Sequence, residues 1–288
     1  MTASLFWEPK LLEPRSACSS CIDTLNDLDW VASSTFRIGP WALGVRSSSE
    51  EADALLQQVL RAHLVDIDAP ANFSALMADG DTRTFNFLYR ASDALVRTRT
   101  PGRLLRTLFS HLSEFVDVES SAARVSVTGL LVDGRVIVAP DNLRVEVSNI
   151  ETRLNVAGIQ VIDAPILELE PGAGHVIVPE PALTIDADAL ARYERDHPAT
   201  GRELAPVLPG RYPIAAWALM TAEDRIGPIG AAQGVAAAAQ QVVNADVLGA
   251  QDTLDVVAGT LAAIPIAGIW WRDSAELVGQ LVDLVSAL

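Results

Sequence analysis

The segment from residue 132 to residue 158 reads V-D-G-R-V-I-V-A-P-D-N-L-R-V-E-V-S-N-I-E-T-R-L-N-V-A-G: a tight turn, a strand, a second turn and a helix. A strand that runs straight into a helix is the framework of a phosphate-binding α/β unit, and it limits what the chain can fold into. In a P-loop the connecting turn reads G-x-x-x-x-G-K-[ST], and its backbone N–H groups cradle phosphates at the helix N-terminus. Here the strand covers residues 135–139 and the helix residues 143–156. Between them stand Pro140, Asp141 and Asn142, with no glycine and no lysine. The segment argues for a fold and against that fold's usual chemistry.

The remaining composition narrows the setting. At 288 residues the chain has room for two domains, and half of it is hydrophobic, so a sizeable core can form. The formal net charge is −16 and Lys10 is the only lysine. That balance opposes nucleic-acid phosphates and anionic membrane surfaces. The longest apolar stretch, residues 260–271, is too short to span a bilayer and contains Pro265 and Gly268. Residues 1–10 lack a basic start followed by an apolar run, so no signal peptide is expected and a cytoplasmic protein is.

Residues 1–34 are expected to form an irregular arm. Cys18 and Cys21 within it, in S-A-C-S-S-C, are read as a plain pair of thiols, with a metal shared across a dimer as the alternative. Residues 35–118 carry strand patterns at 36–46, 72–78, 84–89 and 94–98. A capped helix follows Ser49, and a second helix opens at Pro101. This is a small N-terminal α/β domain. Residues 119–288 form the core around the strand–turn–helix unit. They add strands near 124–132, 159–162, 166–170, 175–178 and 214–220, a short helix within 186–210, and helices near 230–248, 250–263 and 275–288.

From about Phe36 to the C-terminus this order of elements resembles the HPr kinase-related proteins found beside bacterial peptide-modification gene clusters. The stretches that carry the likeness are T-P-G-R-L-L-R-T-L-F-S-H-L-S-E-F, V-D-G-R-V-I-V-A-P, A-G-I-Q-V-I-D-A-P-I-L-E-L, G-R-Y-P-I-A-A-W-A-L and the closing helices. The resemblance implies a mixed-sheet core of the HPr kinase/PEP carboxykinase type. It also implies a P-loop, a pair of aspartates on the following strand and a histidine before the D-G-R turn. This chain departs at each of those points. Val147 falls near the lysine position, and Ser148 alone remains of the Lys-Ser pair. Leu143, Val145 and Val147 bring side chains where close backbone approach needs glycine. Asp141 and Glu146 would oppose a triphosphate. Of the aspartate pair Asp163 survives beside Ala164, and the histidine position holds Ser126.

The expectation is therefore a nucleotide-free pseudoenzyme that binds a peptide or protein of its own pathway, with no cofactor or metal. The alternative is an ATP-independent enzyme reusing the same cleft, for which Asp141, Asn142, Ser148 and Asp163 are the catalytic candidates. Asp141 and Asn142 are also good helix N-caps. His175 is read as a surface-turn residue and His111 as lying at a helix edge. Asp163, Glu168 and Glu170 are read as solvated strand ends. For binding, six arginines cluster in an acidic chain: Arg83, Arg90, Arg97, Arg99, Arg103 and Arg106. They suit an acidic peptide or acidic protein surface. Intramolecular pairing with Asp79, Asp81, Asp93 and Glu114 is the competing account.

Overall fold

A computed structural model describes residues 10–14, 19–78, 83–116, 122–180, 182–196, 207–222 and 227–287. The chain begins with β1 (Lys10–Leu11), α1 (Ser19–Asn26), β2 (Ala32–Ile38), β3 (Trp41–Ser47), α2 (Glu50–Val59) and β4 (Leu64–Val65). It continues through β5 (Ala71–Leu76), β6 (Asn86–Arg90), β7 (Asp93–Thr98), α3 (Pro101–Ser113), β8 (Ala123–Val132) and β9 (Arg135–Pro140). Next come α4 (Leu143–Val156), β10 (Gln160–Val161), β11 (Ile166–Glu170), β12 (His175–Val178), α5 (Ala187–Asp196) and β13 (Gly210–Met220). The last elements are β14 (Gly227–Pro228), α6 (Ala231–Ala239), α7 (Ala245–Leu248), α8 (Ala250–Leu261), β15 (Ile266–Ile269) and α9 (Ser274–Ser286). The fold class is α/β, built on two mixed sheets.

Two compact units divide these elements. One comprises the described residues of Met1–Asp117 and Pro181–Gly201, the other those of Val118–Glu180 and Arg202–Leu288. The segment carrying α5, assigned to the C-terminal core on sequence, thus belongs with the N-terminal unit. Ala189 and Leu190 of α5 are buried in that unit's core, which supplies the reason. The arm expected to be irregular holds β1, paired with β3, and α1.

In the N-terminal unit the sheet order is β4-β2-β3-β5-β6-β7. One face packs on the helices through Phe36, Leu43, Val45, Phe73, Leu88 and Val96 against Leu56, Leu104 and Leu108. Strand alternation sends the intervening residues to the other face. Gly44 is required where β3 meets β5. A Cβ there would stand 2.4 Å from Pro70 O and 2.8 Å from Ala69 O.

In the second unit β9 lies between β8, antiparallel, and β13, parallel, with β15 parallel on the far side of β13. The β8–β9 hairpin turns on Asp133 and Gly134, both at positive φ (47° and 76°), the twist-matched two-residue turn that D-G favours. Alternate residues of β9 go to opposite layers. Val136 and Val138 join a core with Trp217, Ala238, Val257 and Leu261, beneath α6 and α8. Ile137 and Ala139 join Leu143, Ile150, Leu277 and Leu281, beneath α4 and α9. A sheet covered by helices on both faces leaves the carboxyl ends of its parallel strands as the place for a crevice.

The helix expected near 230–248 is broken. α6 stops at Ala239, and the chain then runs as an extended strap along β8. Ser126 N–H donates to Gln241 O at 2.9 Å, Val125 bridges Val242, and Val243 N–H donates to Arg124 O at 2.8 Å. β9 has already left that edge of β8 at Pro140, which pairs with Val127. The backbone groups of β8 must be satisfied, and that demand outweighs the helix propensity of the alanine-rich stretch.

Candidate functional site

Where β9 ends and the 241–243 strap begins, a cavity of about 390 Å³ opens in the second unit. Pro140, Asp141 and Asn142 line it from the end of β9, and Leu219, Met220 and Thr221 from the end of β13. Ile229, Gln233, Ala237, Gln240 and Gln241 line it from α6 and its flanks. It lies at the carboxyl ends of two parallel strands, the usual place for a ligand in such a sheet.

The turn into α4 explains why no phosphate loop fits. Arg144, in the first turn of the helix, is buried and points inward. Its Nη2 donates to Val127 O at 2.5 Å and approaches Pro165 O at 3.3 Å, and its Nε lies 3.2 Å from Asp141 Oδ1. The cause lies one strand away. β8 pairs with β11 so that Ser126 faces Ile166, which sets Val127 opposite Pro165. Val127 N–H donates to Pro165 O at 3.3 Å. Proline has no N–H to return, so Val127 O needs another donor. The Arg144 guanidinium supplies it.

Asp141 and Asn142 therefore act differently from the expected N-caps. Asn142 occupies the N-cap position in helical geometry (φ −62°, ψ −14°) without a side-chain capping bond. Its Nδ2 instead lies 3.5 Å from Met220 Sδ. The Asp141 carboxylate serves the Arg144 side chain and stays half exposed. Nothing replaces the glycine cradle: Leu143 and Val147 are fully buried under the sheet.

Of the four catalytic candidates, Asp141 and Asn142 line the cavity; Ser148 and Asp163 do not. Ser148 projects from the second turn of α4, and Asp163 sits in the connection between β10 and β11. Among the described lining residues Asp141 alone is ionisable; the other polar side chains are one hydroxyl and four carboxamides, Asn142, Gln233, Gln240 and Gln241. Gln241 was missed by sequence reasoning, because its place follows from the strap that interrupts the expected helix. Its Oε1 is buried and finds no hydrogen-bond partner among the described residues.

The six arginines do not form one patch. Arg106 pairs with Glu194 of α5, and Arg103 is buried in α3. Arg90 pairs with Glu114 at 2.9 Å and lies over the Phe115 ring. Arg97 and Arg99 remain together, their guanidinium carbons 4.0 Å and 5.0 Å from the centre of the Phe85 ring. Opposite Arg97 on β6 stands Phe87, stacked with Tyr89 at 6.1 Å. Tyr89 faces Ser74, and Ser74 accepts a hydrogen bond from Arg46, which lies over Trp30. This ladder of partly exposed rings and guanidinium groups crosses the sheet face opposite the helices. Burial holds the pKa of Arg46 below the usual arginine value and that of Tyr89 above the usual phenol value. Arg83, Arg97 and Arg103 each have a further interaction of their own. Asp93 lies exposed at the start of β7, while Asp79 and Asp81 fall outside the described residues.

Other expectations resolve as follows. His111 is not at a helix edge but buried, 3% exposed, with Nδ1 2.5 Å from Glu114 Oε1 and its ring against Phe73. His175 is half-buried and bonded to Ala173 O within its own turn. Cys21 is not a free thiol, since it carries a disulfide bond; Cys18 lies outside the described residues. Glu170 is tied to Arg211. Among the described residues no group of three or more His, Cys, Asp or Glu could hold a metal ion, and no helix is long and apolar enough to cross a membrane. No protein-family model matches the chain, and no curated protein matches it.

Proposed function

We propose that this chain is a non-catalytic HPr kinase-like accessory protein of the cytoplasm, serving a peptide natural-product pathway by holding an acidic peptide segment. The observation that carries the reading is the fate of the β9–α4 turn. Its one buried cation, Arg144, is spent on the carbonyls of Val127 and Pro165 and cannot meet a phosphate. The strand end thus keeps a crevice but has no cradle for a triphosphate.

Binding falls to the aromatic–arginine ladder of the N-terminal unit. Between residues 83 and 106 the chain holds six arginines and one acidic residue, Asp93, within a protein of net charge −16. Rings and guanidinium groups are what protein interfaces favour, and Arg99, exposed beside Phe85, suits a carboxylate-bearing partner. Arg99, held over Phe85 and exposed, can fork onto a carboxylate while Phe87 and Tyr89 offer apolar area.

Titration calorimetry on the full chain tests both halves. Mg-ATP should give no saturable heat, and a Glu-rich peptide should bind with an affinity that Arg97→Ala and Arg99→Ala each reduce. Micromolar Mg-ATP binding would overturn the first half, and acidic-peptide affinity unchanged in both variants the second. The cleft itself favours one second reading, an ATP-independent enzyme, because Asp141 and Asn142 do line it. Asp141→Asn and Asn142→Ala separate the two: an enzyme would lose pathway output in both, an accessory bound through the ladder would not.

A further inference from the structure

The cleft of the second unit is lined for hydrogen bonding rather than for charge, and its polar groups have a sign. Gln241 Oε1 is a buried acceptor lacking a partner among the described residues. Leaving a buried acceptor unmet costs stability, so the group is poised for a donor. Asp141, the one ionisable lining residue described, is an acceptor too. Its Oδ1 faces Arg144, yet the carboxylate side chain is 54% exposed. Gln240 and Gln241 follow directly on α6, where the last carbonyls carry the negative end of the helix dipole. No lysine or arginine lines the cavity among the described residues. Among the described lining residues, the charged group and the unmet one both call for N–H groups. Beside these acceptors lie Leu219, Met220, Ile229 and Ala237, a wall suited to an apolar side chain.

We infer that the cleft binds the amino-terminal end of a peptide. The terminal ammonium sits on Asp141, a backbone amide N–H donates to Gln241 Oε1, and the first side chain lies against Met220 and Ile229. A volume of about 390 Å³ admits two or three residues. An ammonium satisfies a half-exposed carboxylate and is also favoured beside a helix C-terminus. The amide requirement follows from Gln241, whose unmet neutral acceptor is matched by an N–H donor. This site is separate from the aromatic–arginine ladder and uses none of its residues.

The test uses the full chain and the tripeptide Leu-Ala-Ala, with a free amino end or N-acetylated, in titration calorimetry. The free-amine peptide should bind, and acetylation should weaken it at least about tenfold. Asp141→Asn should remove the difference between the two peptides. Gln241→Leu should weaken both at least about tenfold, while Gln241→Glu, which keeps an acceptor, should retain binding. Substituting the Gln241 side chain leaves its backbone carbonyl on Ser126 N–H, and thermal melts matching wild type would confirm the fold. Equal affinity for the two peptides, unaltered binding in Gln241→Leu, or no heat up to about 10 mM peptide would each overturn the assignment.

Discussion

Arg144 offers the sharpest test of how the second unit is built. Its guanidinium stands in for the N–H that Pro165 cannot provide, so Arg144→Met should cost what an orphaned buried carbonyl costs. A hydrogen bond from a charged donor contributes about 1.5–3 kcal/mol, and leaving Val127 O unmet costs about 1–3 kcal/mol; these are two views of one loss. The contact at 3.3 Å to Pro165 O adds less, because that carbonyl already accepts from Val127 N–H. The half-exposed contact to Asp141 adds little. Methionine keeps most of the buried volume, so the expected loss is about 3 kcal/mol. For a unit of this size that lowers the melting temperature by about 10 °C. Urea unfolding followed by tryptophan fluorescence reads it well, because Trp217 is fully buried in the same unit. The decisive arm is rescue. Pro165→Ala restores an N–H opposite Val127, so in the Arg144→Met background it should return at least about 1 kcal/mol. A loss under about 0.5 kcal/mol for Arg144→Met, or no rescue by Pro165→Ala, refutes the substitution of guanidinium for amide.

Gly44→Ala should destabilise the N-terminal unit by about 3 kcal/mol, because the new methyl meets the backbone oxygens of Ala69 and Pro70 rather than a movable side chain; differential scanning calorimetry measures it. The Tyr193 phenol is pushed up to about 12 by burial and by Glu51. The unfolded chain releases that proton first, so stability should fall as pH rises from the ordinary phenol value to about 12, and Tyr193→Phe should reduce the slope in alkaline denaturation curves, leaving the part due to Tyr89. Asp273 caps α9, accepting from Ala275 and Glu276 N–H, and those bonds hold its carboxyl below the usual range. Its contribution is present above the unfolded carboxylate value and lost as pH falls through the lower folded one. Asp273→Ala should therefore flatten the acid limb of stability against pH, read by circular dichroism.

Much of this architecture was legible because periodicity and turn chemistry act locally. D-G at 133–134, Ser49 before an acidic helical turn, and Pro101 at a helix start each fix a boundary through φ or a cap. The strand patterns at 84–89 and 94–98 anticipated β6 and β7, whose pairing sets Phe87 opposite Arg97. What escaped the sequence depends on partners distant along the chain. The break after Ala239 cannot be foreseen from A-A-Q-G-V-A-A-A-A-Q-Q-V-V, since helix propensity favours continuation. Only the vacated edge of β8 between Arg124 and Ser126 makes the strap worthwhile. α5 likewise reads as an amphipathic helix wherever it docks, and its sequence neighbours belong to the other unit. The arginine cluster was visible as a count, but its division between ladder, α3 and α5 is decided by Glu114 and Glu194.

These long-range effects also relocate the ligand-facing chemistry of the strand–turn–helix unit. With a glycine loop, the backbone N–H groups opening the helix would present positive charge to the crevice. Here a proline one strand away draws Arg144 inward, and Leu143 and Val147 fill the space beneath the sheet, so that end of the crevice is built shut. The same crevice is then lined on its other side by α6 and the start of the strap, which bring the carboxamides of Gln233, Gln240 and Gln241. On the inference drawn for it, the cleft therefore suits donors, where a glycine loop at the same place would suit anions. Glycines at 141, 142, 143, 145 and 146 should not create phosphate binding while Val127 O, facing Pro165, still requires the Arg144 guanidinium. A chain with Pro165→Ala and the same glycines, by contrast, frees Arg144, and binding of inorganic pyrophosphate tests whether the guanidinium's engagement is what keeps anions out.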